Sequence, residues 1–305
     1  MGWTFKDIPD QSGLTFLVTG ATSGLGLESA KAIAAHGGDV ILAGRSVEKL
    51  AEAQRAIPQS TRTLVVDLAD LASIHDAAAS VERLDVLMNN AGIMAPPKGQ
   101  TKDGFETQIG TNHLGHFALT GLLLPKMPVD SDASRVVTVS STAHRMGRID
   151  VADLNYEHRK YQNWSAYGQS KLANLLFAAE LDRLATAAGW KLRSVAAHPG
   201  FSNTNLQFAG PSIAHNPVGK IGTKLMNLVM AQSAESGARP QVYAATMPDV
   251  CGGEYFGPDG FQETRGAPKR VGRTDAAKDM AVAQALWARS EELTGVHYDF
   301  SVVAG

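Results

Sequence analysis

Short apolar runs alternate with stretches of helical periodicity along most of the chain. Val136 to Val139 is almost continuously apolar rather than alternating, as expected for a strand that is covered on both faces. The runs of this kind predict strands near 14–18, 39–43, 61–66, 84–88, 134–139, 191–196 and 253–256. The stretches between and after them predict helices near 24–36, 46–56, 70–80, 104–124, 163–188 and 234–246, and from Thr274, as the cap, to Gly295.

This alternation predicts an α/β fold with a doubly wound, mostly parallel seven-stranded sheet. No internal repeat and no low-complexity linker divides the chain. We therefore expect a single domain over residues 12–305, preceded by an N-terminal extension over residues 1–11.

A glycine-rich turn directly follows the first predicted strand and leads into the first predicted helix. Glycines there allow a tight turn and a close approach of the backbone to a pyrophosphate, whose charge the helix N-terminus then stabilises. The arrangement predicts a dinucleotide site, the alternative being an ordinary turn. The residues expected to contact the dinucleotide are Gly20, Thr22, Ser23, Gly24, Leu25 and Gly26.

Tyr167 and Lys171 lie four residues apart in a segment predicted to be helical, so their side chains share one face, one turn apart. A free tyrosine has a pKa of about 10, and a fixed cation nearby favours the phenolate. We expect Lys171 to lower the pKa of Tyr167 towards the range useful for proton transfer. The alternative is a tyrosine at the edge of the core beside a solvated lysine.

Together with Tyr167 and Lys171, the Gly-x-x-x-Gly-x-Gly spacing of the turn resembles the short-chain dehydrogenase/reductase family. Further motifs in the family's chain order extend the resemblance over roughly residues 12–260. The segments 112–117, 141–144 and 167–174 look most like the retinol-dehydrogenase-like branch and its bacterial relatives. The resemblance implies a Rossmann fold and hydride transfer between a nicotinamide and a carbonyl or alcohol carbon.

The resemblance also implies four catalytic residues. Tyr167 would move the proton, and Lys171 would bond the nicotinamide ribose. Ser141 would hydrogen-bond the substrate oxygen, and Asn112 would hold a water that links Lys171 to solvent. Ser141 is chosen over Ser140 because the family's catalytic serine is usually the second of the pair. The segment from Ser141 to Tyr167 is longer than the family commonly has, but such a loop is familiar in the retinol-dehydrogenase-like branch.

By the same resemblance, three further loops would contact the cofactor. The loop after the third strand would contact the adenine, the loop after the fourth would line the nicotinamide, and the loop after the sixth would contact its carboxamide. These residues are, in that order, Asp67 and Leu68; Asn90, Ala91 and Gly92; and Pro199, Gly200 and Thr204.

The end of the second predicted strand indicates which cofactor is used, because an NAD enzyme usually has a carboxylate there. This chain has Gly44 and then Arg45. A guanidinium can hold a 2′-phosphate through bidentate charge-assisted bonds, so NADP(H) is preferred and NAD(H) is left as the alternative. Glu48 is close by, but an acid in the first turn of a helix is also favoured by the dipole.

The composition of the chain limits the macromolecules and membranes that it is expected to bind. The chain has 305 residues, 44% of them hydrophobic, and a net charge of −2, so no excess of basic residues favours nucleic acid or anionic lipid. We find no apolar signal core and no apolar run long enough to span a bilayer, and expect a cytoplasmic enzyme. Cys251 is the only cysteine, which excludes an internal disulfide, and we expect it to be buried.

Four histidines invite a metal assignment, but they lie on separate elements without ligand spacing, and no metal site is predicted. They are His113, His116, His144 and His198.

The segment 205–233 is predicted to form a substrate lid. Ile221, Leu225, Leu228 and Val229 recur there at helical spacing, which favours a lipophilic substrate. The alternative is that this face packs on the core or on another subunit. The small residues of the helix 163–188 likewise leave a homo-oligomer open.

Two functions of different classes remain. One is an oxidoreductase acting with NADP(H) on a carbonyl or secondary alcohol. The other is a non-catalytic NAD(P)-binding regulatory or scaffold protein. Retention of the four catalytic residues together favours the enzyme, since non-catalytic relatives typically lose the tyrosine or the lysine. A nucleotide-sugar epimerase or dehydratase is disfavoured by the glycine spacing.

Overall fold

The computed structural model describes residues 2–201 and 232–301. Eight strands in this part of the chain form one sheet at the centre of the molecule. They are β1 (Thr15–Thr19), β2 (Asp39–Gly44), β3 (Thr61–Val65), β4 (Val86–Asn89), β5 (Arg135–Val139), β6 (Arg193–Ala197), β7 (Tyr255–Pro258) and β8 (Pro268–Arg270). Their order is β3-β2-β1-β4-β5-β6-β7-β8, with β8 antiparallel to β7 and all other pairs parallel.

Helices cover both faces of this sheet. They are α1 (Gly24–Ala34), α2 (Val47–Arg55), α3 (Leu71–Ala79), α4 (Thr107–Ile109), α5 (Gly115–Leu123), α6 (Asn163–Ala187), α7 (Ala234–Thr246) and α8 (Met280–Thr294). A π-helical turn, Gly110–Leu114, joins α4 to α5. None of the helices in residues 2–201 and 232–301 combines the length and apolar character needed to cross a bilayer.

Successive residues of the central strands enter different halves of the core. Phe16 and Val18 pack with Ile33 of α1 on one face, whereas Leu17 packs with Phe117 of α5 on the other. Burial on both faces explains why these strands are apolar at consecutive positions. The predicted doubly wound, mostly parallel α/β fold is confirmed.

The eighth strand was not predicted. Pro268–Arg270 is short, carries two basic side chains and pairs only at the edge of the sheet, so it has no apolar pattern. The predicted start of the last helix was also wrong. Thr274 precedes a short 3₁₀ turn and makes no capping side-chain bond, whereas Asp279 caps α8 by accepting a hydrogen bond from the amide of Val282, 3.1 Å away.

Part of α6 packs on α8. Leu172, Ala173 and Leu176 of α6 lie in one buried cluster with Ala283 and Leu286 of α8. An adjoining aromatic group, whose rings meet at centroid distances of 4.5–5.8 Å, links α5, α6, α8 and the segment that follows α8. Its members are Phe117, Phe177, Trp287 and Tyr298.

The N-terminal residues pack on the domain. Trp3, Phe5 and Ile8 contact a small apolar cluster that contains Ala32 of α1 and Val242 of α7. The indole of Trp3 also meets the ring of Tyr243 edge-on, at a centroid distance of 5.3 Å. This segment therefore lies against the same two helices that cover one face of the sheet.

Cys251 is exposed, so the expectation that it is buried was wrong. It lies in the turn between Val250 and β7, where its backbone amide donates to Glu254 Oε2 at 2.8 Å. The apolar neighbour Val250, not the thiol, enters the core.

Candidate active site

The glycine loop runs from the end of β1 into α1, as predicted. Gly20 and Gly24 have φ angles of +68° and +54°, which glycine adopts without steric cost. A Cβ at residue 26 would lie 2.4 Å from the carbonyl oxygen of Gly20. Only glycine at position 26 therefore allows the loop to pack this closely on the first turn of α1. The loop also touches β2, because a Cβ at Gly44 would lie 3.2 Å from Thr22 Cγ2.

The N-terminus of α1 differs from those of the next two helices. The side chains of Ser46 and Asp70 accept hydrogen bonds from the first-turn amides of α2 and α3, respectively. Ser23, at the equivalent position of α1, makes no such bond. The first-turn amides of α1 are thus not satisfied by their capping side chain, and such amides together with the helix dipole favour an anion.

Asn90 and Ala91 are fixed to the end of β1. Both backbone amides donate to Thr19 Oγ1 at 2.9 Å, and Asn90 Nδ2 donates to the carbonyl of Thr19 at 2.7 Å. Asn90 Oδ1 accepts from Gln241 of α7 at 2.9 Å, and Thr19 Oγ1 also lies 2.9 Å from His116 Nε2. The side chain of Asn90 therefore ties the loop to the end of β1 and to α7.

The two residues expected to contact the adenine, Asp67 and Leu68, follow β3 in the structure. Asp67 is half-buried, and its Oδ1 accepts from the amide of Ala69 at 3.0 Å. Leu68 is buried, and its carbonyl packs so tightly on α5 that a Cβ at Gly115 would lie 2.3 Å from the oxygen.

Arg45 is exposed at the end of β2 and makes no ion pair with the residues that the structure describes. The nearby carboxylate of Glu48 accepts from Ser46 Oγ at 2.8 Å. Hydrogen bonds from the backbone amide of Glu48 and from Ser46 lower the pKa of that carboxyl. Glu48 is thus hydrogen-bonded to the start of its own helix and forms no ion pair with Arg45.

Tyr167 is almost fully buried on α6. Burial raises the pKa of its hydroxyl to about 12, and hydrogen bonding with Ser141 opposes part of that rise. This direction is the reverse of the lowering expected from Lys171. The reason is that burial penalises the phenolate by more than the hydrogen bond with Ser141 stabilises it. The half-exposed indole of Trp164 lies beside the Tyr167 ring, at a centroid distance of 6.1 Å.

Lys171 points to the end of β5. Its Nζ donates to the carbonyl of Val139 at 3.1 Å and lies 5.8 Å from the centre of the Tyr167 ring. Burial lowers the pKa of Lys171 to about 8. The same carbonyl accepts from Asn174 Nδ2 at 3.0 Å, so Asn174 is a site residue that the sequence reasoning missed, although it lies one turn further along the predicted helix face.

Asn112 lies inside the π-helical turn and is fully buried. Its Oδ1 accepts from the amide of Ile93 at 2.8 Å, and its Nδ2 donates to the carbonyl of Ile93 and to Ser170 Oγ, both at 2.9 Å. A Cβ at Gly92 would lie 3.2 Å from Asn112 Oδ1 and 3.4 Å from Lys171 Nζ. Gly92, Asn112 and Lys171 are therefore neighbours, as expected of one site, and π turns recur at such sites.

The two serines after β5 differ in environment. Ser140 is buried, and its hydroxyl donates to the carbonyl of Lys171 at 2.8 Å. Ser141 is only half-buried, accepts from the amide of Ala143 at 3.1 Å, and hydrogen-bonds Tyr167. The geometry thus pairs the tyrosine with the second serine, which the sequence analysis selected.

The loop after β6 bends at Gly200, whose φ is +67°. The amide of Gly200 donates to His198 Nδ1 at 3.2 Å, and the carbonyl of Pro199 accepts from Gln232 Nε2 at 2.6 Å. Thr204, and the predicted lid except for its last two residues, lie outside the described residues.

His113 and His116 are buried and hydrogen-bonded. His113 Nε2 lies 2.9 Å from Ser290 Oγ, and His116 Nδ1 lies 3.0 Å from the carbonyl of Asn112. Burial lowers the pKa of His113 to about 3 and that of His116 to about 4, so both rings are neutral. In residues 2–201 and 232–301, no three groups of the kind that bind metals lie together.

Comparison with known proteins identifies the family. The family model described as short chain dehydrogenase matches residues 15–210. Retinol dehydrogenase 13 of Homo sapiens is 40% identical over 299 residues, covering 93% of this chain and 85% of that protein. Polyprenol dehydrogenase of Mus musculus is 37% identical over 303 residues, covering 94% and 86%. A solved structure of an uncharacterized protein from Mycobacterium paratuberculosis is 46% identical, with a TM-score of 0.84 over 98% of this chain and 100% of that one.

The chain belongs to the short-chain dehydrogenase/reductase family. It is accordingly an NAD(P)-dependent oxidoreductase of the class that acts on CH–OH groups.

Proposed function

We propose that this protein interconverts a carbonyl and an alcohol of a lipophilic compound with NADP(H), using Tyr167 as the acid/base. The observation that carries the proposal is the convergence of Tyr167 with Ser141, and of Lys171 with Gly92 and Asn112, at the carboxyl ends of adjacent parallel strands. Ligands of doubly wound sheets bind at that edge.

When bound, the cofactor supplies or accepts the hydride through its nicotinamide. The residues after β1 and β2 fit a phosphorylated dinucleotide. The start of α1, which lacks a capping side-chain bond, favours a pyrophosphate, and the exposed guanidinium of Arg45 could bind a 2′-phosphate. The glycine loop and the segments at Asp67, Asn90 to Gly92 and Pro199 to Gly200 would hold the rest. NAD(H) is the alternative cofactor.

The proton moves at the hydroxyl of Tyr167. With a pKa of about 12, this hydroxyl is protonated at neutral pH and is poised to donate to a carbonyl oxygen. Ser141, which hydrogen-bonds the same hydroxyl, would also hydrogen-bond the substrate oxygen and stabilise charge that develops on it. Lys171 and Asn112 would return a proton to Tyr167 from solvent.

A lipophilic substrate is supported from two directions. Two similar proteins are named as dehydrogenases of retinol and of polyprenol, both largely apolar alcohols. In this chain, Trp164 and Met146 are 50% and 60% exposed, and the indole of Trp164 lies edge-on to the ring of Tyr167. A large apolar side chain left exposed beside the proposed proton donor would contact an apolar substrate.

The test is a comparison of the wild type with Tyr167→Phe. Binding of NADPH is followed by its fluorescence, and reduction of a panel of aldehydes and ketones by loss of NADPH absorbance. We expect the variant to bind NADPH with an unchanged Kd and to lose activity at least about 100-fold.

Tyr243→Phe is the matched control, because it also removes a hydroxyl, one that donates to Asp249 at 2.8 Å away from the site. It should retain wild-type activity. Equal turnover by Tyr167→Phe would overturn the assignment of the proton donor. A wild type that binds neither NADPH nor NADH would overturn the proposed function.

A further inference from the structure

The hairpin formed by β7 and β8 reaches back over the candidate site. The turn between these strands contacts the loop after β6, since the amide of Phe201 donates to the carbonyl of Thr264 at 2.8 Å. A Cβ at Gly200 would lie 2.5 Å from that carbonyl oxygen and 2.9 Å from the carbonyl oxygen of Glu263. The hairpin turn and the Pro199–Gly200 segment are therefore in direct backbone contact.

Glu263 lies in this turn and binds two segments of the candidate site, the turn Thr142–Met146 and the loop that begins at His198, through a single carboxylate oxygen. Its Oε2 accepts from Arg145 Nη2 at 2.9 Å and lies 3.1 Å from His198 Nε2. Arg145 belongs to the 3₁₀ turn Thr142–Met146, which Ser141 caps. His198 begins the loop that is proposed to contact the nicotinamide. Glu263 is only 18% exposed, so this bridge is partly shielded from solvent.

The protonation of His198 follows from its partners. Its Nδ1 accepts from the amide of Gly200, so the ring proton is on Nε2 and is donated to Glu263. The imidazole ring of His198 fits here because the adjacent residue of β7, Gly257, has no side chain. A Cβ at Gly257 would lie 2.0 Å from His198 Nε2. The carboxylate, the imidazole and the backbone of the loop thus form one continuous chain of hydrogen bonds.

The backbone around Glu263 is held in a costly conformation. Gln262 and Glu263 have φ angles of +50° and +57°, a left-handed region that residues other than glycine rarely adopt. Such a residue is strained and persists only where the surrounding structure fixes its conformation. Here the contacts of the Glu263 carboxylate with Arg145 and His198 hold the backbone in this conformation.

We infer that Glu263 is a positioning residue, which sets the turn that begins at Ser141 and the loop from His198 to Gly200 at their working separation. The inference rests on the proposed function. Through Arg145 the carboxylate restrains the serine that would contact the substrate oxygen. Through His198 it restrains the loop that would contact the nicotinamide. Loss of the carboxylate charge would loosen the two halves of the site relative to each other without removing a group that contacts substrate.

The test compares Glu263→Gln with Glu254→Gln. Glu254 also pairs with an arginine, Arg270, but at the amino end of β7, so its variant loses the same charge and an ion pair away from the site. We expect Glu263→Gln to lower kcat about tenfold and to raise the KM for NADPH several-fold, in keeping with the loss of a hydrogen bond to a charged group. Its thermal midpoint should match that of Glu254→Gln, whose kinetic constants should remain those of the wild type. The double variant Arg145→Met with Glu263→Gln should be no slower than Glu263→Gln alone.

Hydrogen exchange without cofactor provides a readout independent of turnover. The amides of Gly200 and Ala143 donate to His198 and Ser141, respectively, and should exchange at least about fivefold faster in Glu263→Gln than in Glu254→Gln. Kinetics and exchange that are the same in both variants would overturn the inference. A wild type without activity or NADPH binding would instead overturn the proposed function, and exchange would still decide the role of Glu263.

Discussion

Lys171 donates a hydrogen bond to the carbonyl of Val139, 3.1 Å away, where the fifth strand ends beneath the candidate site. The ammonium is therefore fixed to the backbone of the sheet rather than to an acidic partner. Burial without a carboxylate makes the charged form costly, which is why the pKa of Lys171 falls to about 8. A buried cation of this kind lowers the stability of the folded state, a cost that the proposed role of Lys171 would account for.

Lys171→Met should make the folded state more stable at pH 7, by about 1 to 3 kcal/mol, because it removes a buried cation and keeps the side-chain volume. Val139 retains its bond from Asn174. The same variant should lose activity by at least about 100-fold. Urea unfolding and NADPH-dependent turnover measure the two effects.

The stability gain should depend on pH. As the pH rises above about 8, the folded wild type releases the Lys171 proton while the unfolded chain still binds it, so the wild type gains stability relative to the variant. The difference should narrow between pH 8 and 10. A difference that stays constant over that range would show that the lysine is not the cause.

Arg45→Asp should shift the cofactor preference. It replaces the free cation after β2 by a charge that repels a 2′-phosphate, so the KM for NADPH should rise about thirtyfold relative to that for NADH. Steady-state kinetics with both cofactors give the ratio. Arg55→Asp makes the same charge change at the exposed last residue of α2, the helix that follows Arg45, and should leave the ratio unchanged. If both variants give the same ratio, Arg45 does not bind the phosphate.

Mild acid should destabilise the protein through its buried histidines. An unfolded histidine has a pKa of about 6.5, whereas the pKa values of His113 and His116 are about 3 and about 4 in the folded state. Below pH 6.5 the unfolded chain binds protons that the folded protein does not, so stability is full above that pH and is lost as pH falls. The loss should reach about 2 kcal/mol for each histidine at pH 5.

His113→Gln should remove about half of this loss, measured as the change in urea midpoint between pH 7.5 and pH 5. His75→Gln is the control, because His75 is exposed on α3. The control should show the full acid sensitivity of the wild type. Equal sensitivity of all three proteins would mean that other groups cause the loss.

Gly115→Ala should destabilise the protein by about 2 kcal/mol or more, because its Cβ would lie 2.3 Å from the backbone oxygen of Leu68. The contact is with backbone, which cannot rotate away. Gly272→Ala meets no atom within 4 Å and serves as the control. Chemical unfolding should separate the two variants; equal midpoints would show that the helix and the loop after β3 can move apart.

Local sequence patterns were sufficient to predict the parallel strands of the sheet and the turns that follow them. Phe16 to Val18 are apolar on consecutive positions because each faces a covered side, and the glycines after them have the φ angles that the turn needs. Tyr167 and Lys171 are separated by one helical turn, so their common face follows from spacing alone. The fold class and the positions of the motifs were therefore predictable.

Long-range effects were not predictable in the same way. The rise in the pKa of Tyr167 depends on how deeply α6 is buried, which spacing does not reveal. Arg145 and Glu263 are far apart along the chain and meet only because a short, polar edge strand returns the hairpin to the site. The exposure of Cys251 likewise depends on where a turn lies, not on the apolar character of the residue.

The packing of Trp287 between Phe117 and Phe177 also bears on biosynthesis. Chains are made from the N-terminus onwards, and domains fold as their partners in contact become available. The ring of Trp287, which packs on both α5 and α6, is synthesised 110 residues after Phe177. A ribosome-bound chain that already contains Tyr167 and Lys171 would still lack the Trp287 ring of its core. We expect such a chain to need either rapid completion of its synthesis or a chaperone.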